Sequence, residues 1–198
     1  PEDATLLGAP LLVGPAMDDL LSKRCDDLRR ATERLERISA HDALLMLRSS
    51  LSTPKLMHTL RSSPCGDNHL LVTFDNILRR SLSRIVNVDL SDLQWVQASL
   101  PVKDGGLGIR CAVMLAPSAF LASAAGSRDL QDAILGRCGA QNDIFFDCAL
   151  VSWLSENNTQ TPIGADAGRQ KNWDKVSVAR AKQVLASHLV DQRDRARL

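Results

Sequence analysis

Leu100-Pro101-Val102-Lys103-Asp104-Gly105-Gly106-Leu107-Gly108-Ile109-Arg110 interrupts a chain otherwise rich in helix-forming residues. Glycine accepts positive φ and lets a second backbone approach closely. A Pro-Val-Lys-Asp-Gly-Gly run cannot continue a helix and reads as a shaped turn. Gly105, Gly106 and Gly108 are therefore assigned a structural role, locking this turn against helices on either side.

Working outward, both flanks predict an all-α fold. Upstream, Leu21, Cys25, Leu28, Thr32 and Leu35 recur at steps of four and three, which predicts a helix over 17–38 with one apolar face. Pairs such as Asp26–Arg30 and Glu33–Arg37 lie four apart on its charged side. A second helix is expected over 41–51 with Ala43, Leu44 and Leu47 inward, broken or restarted at Pro54. A third is expected over 69–86, burying Leu71, Phe74, Leu78 and Leu82. Ser91 three residues before Gln94 has the capping-box order and starts a short helix carrying Trp95. Downstream, 111–125 is rich in Ala and Leu, with Pro117 a kink or a new start, and Ser127 is expected to cap a separate short segment. A helix over 142–155, a linker over 156–172 and a last helix over 174–189 follow. That last helix is read with Val176, Ala179 or Arg180, Val184 and Leu185 at helical spacing. The charged run from Asp191 to Arg197 has no stop signal and reads as cut rather than finished. At the other end, Leu6-Leu7-Gly8-Ala9-Pro10 predicts short extended pieces around a turn shaped by Gly8.

Composition narrows the function classes. Aromatic residues make up 4% of the chain and Tyr is absent, which disfavours a sandwich or barrel. No apolar run reaches the ~20 residues of a bilayer span, and no signal peptide is visible, so an intracellular location (cytoplasm or nucleus) with no membrane partner is expected. The net charge of +1 lacks the strong positive field of a free-standing DNA-binding domain, so any nucleic-acid contact must come from local clusters. Cys25, Cys65, Cys111, Cys138 and Cys148 form no short-spaced pair and read as free thiols. Cys65 with His69 is the one close Cys/His pair and lacks a second half, so no metal and no cofactor is assigned.

No catalytic constellation is present. Asp18-Asp19 and Asp26-Asp27 sit on a predicted helix beside basic residues, not on the strand-turn-strand that holds polymerase metals. What remains is binding. Basic side chains cluster on two helices, Lys23, Arg24, Arg30, Arg34 and Arg37 on one and Arg79, Arg80 and Arg84 on the other. Lys103 and Arg110 flank the glycine turn. By spacing alone these form a salt-bridged solvated face; on an exposed helix face they can also neutralise phosphates.

The order of features resembles the region that follows the polymerase palm in non-LTR retrotransposon (LINE-type) reverse transcriptases. Leu6-Leu7-Gly8 looks like the primer-side turn, and the helix over 17–38 like the first thumb helix. Leu60-Arg61-Ser62-Ser63-Pro64 is similar to the loop after the family's next helix, and Phe74-Asp75-Asn76 through Ile85 to its third helix. Leu93-Gln94-Trp95-Val96-Gln97-Ala98-Ser99-Leu100-Pro101 with Gly105-Gly106-Leu107-Gly108-Ile109 is the most specific match. Gln170-Lys171-Asn172-Trp173-Asp174 and Asp194-Arg195-Ala196-Arg197-Leu198 look like the family's connector. The resemblance implies the end of the palm over 1–17, a thumb-like bundle over 18–126 and a truncated helical connector over 127–198. It implies grip on an RNA–DNA or RNA template–primer duplex by the ten basic residues above, in the manner of an RNA-directed DNA polymerase fragment without its catalytic carboxylates. The alternative is a reused helical module that holds a protein partner through the apolar segment Leu6, Leu7, Leu11, Leu12 and Val13.

Overall fold

The computed structural model describes residues 5–10, 12–136 and 143–188. Its described residues form an all-α bundle with one small hairpin. Strands β1 (Thr5–Leu6) and β2 (Ala9–Pro10) pair antiparallel, with Thr5 opposite Pro10 and Leu6 opposite Ala9. Leu7 and Gly8 turn the corner at φ 51° and 79°. Two consecutive positive φ values are the mark of the type I′ turn, whose twist matches paired strands.

Helix α1 (Pro15–Leu35) begins on proline, tolerated at the first helical position, where no amide partner is lost. Its buried residues are Met17, Leu21, Cys25, Leu28, Thr32 and Leu35, the stripe expected from spacing. Helix α2 (Ala40–Met46) is capped by Ser39 and runs into a five-residue π turn, Leu47–Leu51, where the Ser52 amide reaches back to the Leu47 carbonyl. After a 3₁₀ turn at Thr53–Lys55 comes α3 (Met57–Ser62). Helix α4 (His69–Val86) buries Leu71, Phe74, Leu78 and Leu82 and packs on α1. Asn68 donates to Asp18 at one end of that packing and Arg84 to Glu36 at the other, so α1 and α4 run parallel. Helix α5 (Asp92–Ser99) carries the complete capping box of Ser91 and Gln94.

The glycine turn then reverses the chain onto α5. The Leu107 amide donates to the Ala98 carbonyl and the Gly108 amide to the Leu100 carbonyl. A Cβ at Gly106 would lie 2.1 Å from the Leu100 carbonyl oxygen, so no other residue fits without backbone movement. Gly105 and Gly108 have φ of 84° and 75°.

Three expectations are corrected beyond this turn. Helix α6 (Ala112–Leu135) is continuous through Pro117 and through Ser127, so no separate segment starts there, and the 126–127 boundary falls inside a helix. Gly126 lies inside that helix, where its missing side chain admits the backbone of Gly168, 3.2 Å from where a Cβ would be. After α7 (Ile144–Asn157), helix α8 (Gln170–His188) starts four residues earlier than expected and turns a different stripe inward. Trp173, Ser177, Val178, Ala181 and Leu185 are buried, whereas Ala179, Arg180 and Val184 face solvent. Trp173, just outside the expected bounds of this helix, is its largest buried side chain. On α1, the ion pairs are three residues apart, Asp26–Arg29 and Asp27–Arg30, rather than four.

Helix α6 is the hub. It packs on α3, α4, α7 and α8, so α1, α4, α6 and α8 stack in that order. Its N-terminus has no cap of its own. Asp75, reaching across from α4, accepts from the Ala112 amide at 2.7 Å, the Val113 amide at 3.1 Å and the Cys111 thiol at 2.9 Å. A carboxylate there satisfies unpaired amides and meets the positive end of the helix dipole.

Candidate nucleic-acid interface

The outward side of α1 is built by simple helical geometry. At about 100° per residue, Lys23, Asp27, Arg30 and Arg34 fall on the side opposite the buried stripe. Lys23, Arg30, Arg34 and Arg37 are exposed. Arg30 is paired with Asp27, while Lys23, Arg34 and Arg37 have no carboxylate partner among the described residues. Arg37 sits just past the helix end, where its cation faces the negative pole of the dipole.

The other expected contacts are spent or displaced. Arg24 is half-buried and turned into a groove of about 160 Å³ with Asp27, Leu51, Lys55 and Phe74; its Nε is buried without a partner. Arg79 is half-buried, donating to Asp92 at 2.6 Å and to the Leu90 carbonyl, which ties α4 to the start of α5. Arg84 bridges to Glu36 at 2.8 Å. Arg110 makes a bidentate pair with Asp174, 2.8 and 2.5 Å, with the two side chains 18% and 16% exposed. That geometry is the strong, directional form of ion pair, and it clamps the start of α6 to α8. Arg80 is exposed without a carboxylate partner among the described residues, and Lys103 lies 3.8 Å from Asp104. The structure thus groups Lys23, Arg30, Arg34 and Arg37, and separates them from Arg79, Arg84 and Arg110, which hold the fold.

The buried titratable groups also serve the fold. Burial pushes the Asp75 carboxyl up, against the pull of its three hydrogen bonds. Burial drives the Cys111 thiol well above its ordinary range, with the Asp75 charge and hydrogen bond adding to it. Burial lifts Cys65 to about 11, against a backbone hydrogen bond that lowers it. These thiols are protonated at neutral pH and poor nucleophiles. Sequence reading missed Asp75, although a signal was there: it stands four residues after Leu71, inside the apolar stripe of its own helix.

Among the described residues no group of three or more His, Cys, Asp or Glu side chains is placed to hold a metal; Cys65 is buried and His69 exposed. No helix among them is long and apolar enough to cross a membrane. Cys138, the side chains of Leu6 and Leu11, and the run from Asp191 to Arg197 lie outside the described residues. Comparison of the chain with protein-family models, curated proteins and solved structures gave no match.

Proposed function

We propose that this chain binds the sugar–phosphate backbone of a template–primer duplex, as the thumb and connector of a retroelement RNA-directed DNA polymerase would. The carrying observation is the row Lys23, Arg30 and Arg34, exposed on α1 opposite its core stripe, with Arg37 exposed just past the helix end and three of the four cations unneutralised by neighbours. Arginines on a rigid helix present planar donors to phosphate oxygens without further ordering of the backbone. The order of sequence features shared with the thumb region supports the same reading. Contacts of this kind position a duplex and do not read its sequence.

The test is titration of an RNA–DNA heteroduplex at two salt concentrations. Arg30→Ala, Arg34→Ala and Arg37→Ala combined is expected to weaken binding and lower the salt slope by about 2–3, near the ~0.9 lost per phosphate contact on a duplex. Unchanged affinity and slope reject the assignment.

A second reading has its own observation. Leu7, at the tip of the hairpin, is 86% exposed and held at positive φ, and Val13 nearby is 55% exposed. A large apolar side chain held in a left-handed turn is uncommon and fits a docking point for another protein. Leu7→Asp would then abolish a salt-indifferent protein complex while leaving heteroduplex affinity unchanged.

A further inference from the structure

A charged concavity lies at the far end of the helix stack from α1. A cleft of about 560 Å³ opens between the glycine turn and α8. Lys171, Lys175 and Lys182 line it from α8, and Lys103 from the turn. On a helix these α8 lysines share one side, at spacings of four and seven, and span about 16 Å along the axis. The carboxylates in the wall are fewer than the cations. Asp174 is consumed by Arg110. Asp104 is shared between Lys103 and Lys182, each at 3.8 Å, beyond hydrogen-bond length. Lys171 and Lys175 are exposed with no carboxylate partner among the described residues. Pro101, Val178 and Ala179 supply an apolar floor. Four ammonium groups around an apolar floor, two of them unneutralised, form a receptor for several closely spaced phosphates.

We propose that this cleft seats successive phosphates of a nucleic-acid strand, at a second site separate from the α1 row. Strand rather than duplex follows from shape: the lysines converge from two walls on a cleft, where α1 offers an open convex face. The length of the α8 row matches several phosphates along one backbone, and lysine acts on phosphate as a mobile point charge, needing no fixed plane. Because α1 and α8 lie at opposite ends of the α1–α4–α6–α8 stack, each site is removable without touching the other. The inference rests on the nucleic-acid reading for the identity of the ligand and on the cleft for its place.

The experiment uses the whole chain with fluorescein-labelled single-stranded RNA of about 16 nucleotides, the same strand paired to DNA, and sodium pyrophosphate as competitor. Lys171→Gln, Lys175→Gln and Lys182→Gln combined keep the aliphatic stems; circular dichroism and the thermal midpoint monitor the fold. Single-strand affinity is expected to fall at least about tenfold and its salt slope by about 2, near ~0.7 per phosphate on a single strand. Asp104→Asn, which frees two lysines, is expected to tighten binding. In the Arg30, Arg34 and Arg37 triple variant single-strand binding is retained whatever happens to the heteroduplex, so failure of the α1 reading and failure of this one are told apart. Unchanged single-strand affinity and slope in the lysine triple variant overturn the proposal, as does weaker binding in Asp104→Asn. Displacement of the strand by pyrophosphate at comparable concentration also overturns it, by assigning the cleft to a free phosphoanion.

Discussion

The α1–α4 half and the α6–α8 half of this molecule are both helical, yet they are held together by different means. In the first, long aliphatic stripes meet face to face: Leu21 and Leu28 of α1 and Leu71, Phe74 and Leu78 of α4 belong to one buried cluster. In the second, two smaller apolar clusters, one of Leu100, Val178, Ala181 and Leu185 and one of Leu121, Ala122, Trp153 and Trp173, are joined by specialised contacts. Trp153 of α7 and Trp173 of α8 meet edge to face at 5.0 Å, Gly126 touches Gly168, Arg110 clamps Asp174, and Asp75 caps α6 from outside. The first arrangement rests on one large apolar cluster, whereas the second divides its apolar surface and adds directed contacts between single residues.

Mutation can break that contrast. The largest effect is expected at Trp173, which is 1% exposed and donates from Nε1 to the Ala167 carbonyl at 2.7 Å. Trp173→Ala should cost about 3–5 kcal/mol in a denaturant titration. The indole of Trp153 is equally buried, but its Nε1 has no hydrogen-bond partner. Trp153→Phe should therefore cost about 1 kcal/mol less than Trp173→Phe. Equal losses would mean that the Ala167 bond contributes nothing. Next comes the turn: Gly106→Ala drives a methyl into the Leu100 carbonyl and should cost about 1–3 kcal/mol. Neutrality would show that the turn yields where the core does not.

Asp75 sharpens the contrast through pH. Burial raises its carboxyl above the ordinary value, so the folded chain holds that proton more tightly than the unfolded one. Its contribution is then fully present below the ordinary carboxylate pKa and declines as pH rises through the raised value. Asp75→Asn should cost about 1–2 kcal/mol. The stability gap to the native chain should be widest at acid pH and narrow towards neutrality. A gap that widens with pH would show that the amides of α6 outweigh burial. The smallest stability effect is expected at Arg34 and Arg37, where alanine should change folding by less than about 0.5 kcal/mol while altering the salt dependence of binding. A large loss of stability there would make the α1 row structural.

The two halves also differ in legibility, for the same reason. Stripes at steps of three and four declare themselves, so the apolar buried stripes of α1 and α4, the capping box at Ser91 and the hairpin around Gly8 could be read directly. In α8 the buried positions include Ser177 and Ala181, whose side chains carry little hydrophobic signal, and the exposed Val184 drew the expected stripe to the wrong side. In α6 the run through Pro117 and Ser127 is sustained by neighbours on several sides, and tertiary packing overrides local breakers. The candidate site divides similarly. Lys23, Arg30 and Arg34 are outward because the helix period puts them opposite the core, and Arg37 follows just past the helix end. Arg79, Arg84 and Arg110 look equivalent in sequence, but their partners Asp92, Glu36 and Asp174 lie 13, 48 and 64 residues away.

The chain's own pattern determined that it would be helical, where α4 and α5 begin, and which face of α1 carries charge, because those properties arise from neighbours within two helical turns. Only the tertiary structure decided which cations are spent in ion pairs, that a carboxylate of α4 would cap α6, and that lysines from the glycine turn and from α8 would line one cleft. Each of those outcomes needs residues distant in the chain to be brought within a few ångströms, and no local periodicity encodes such a meeting.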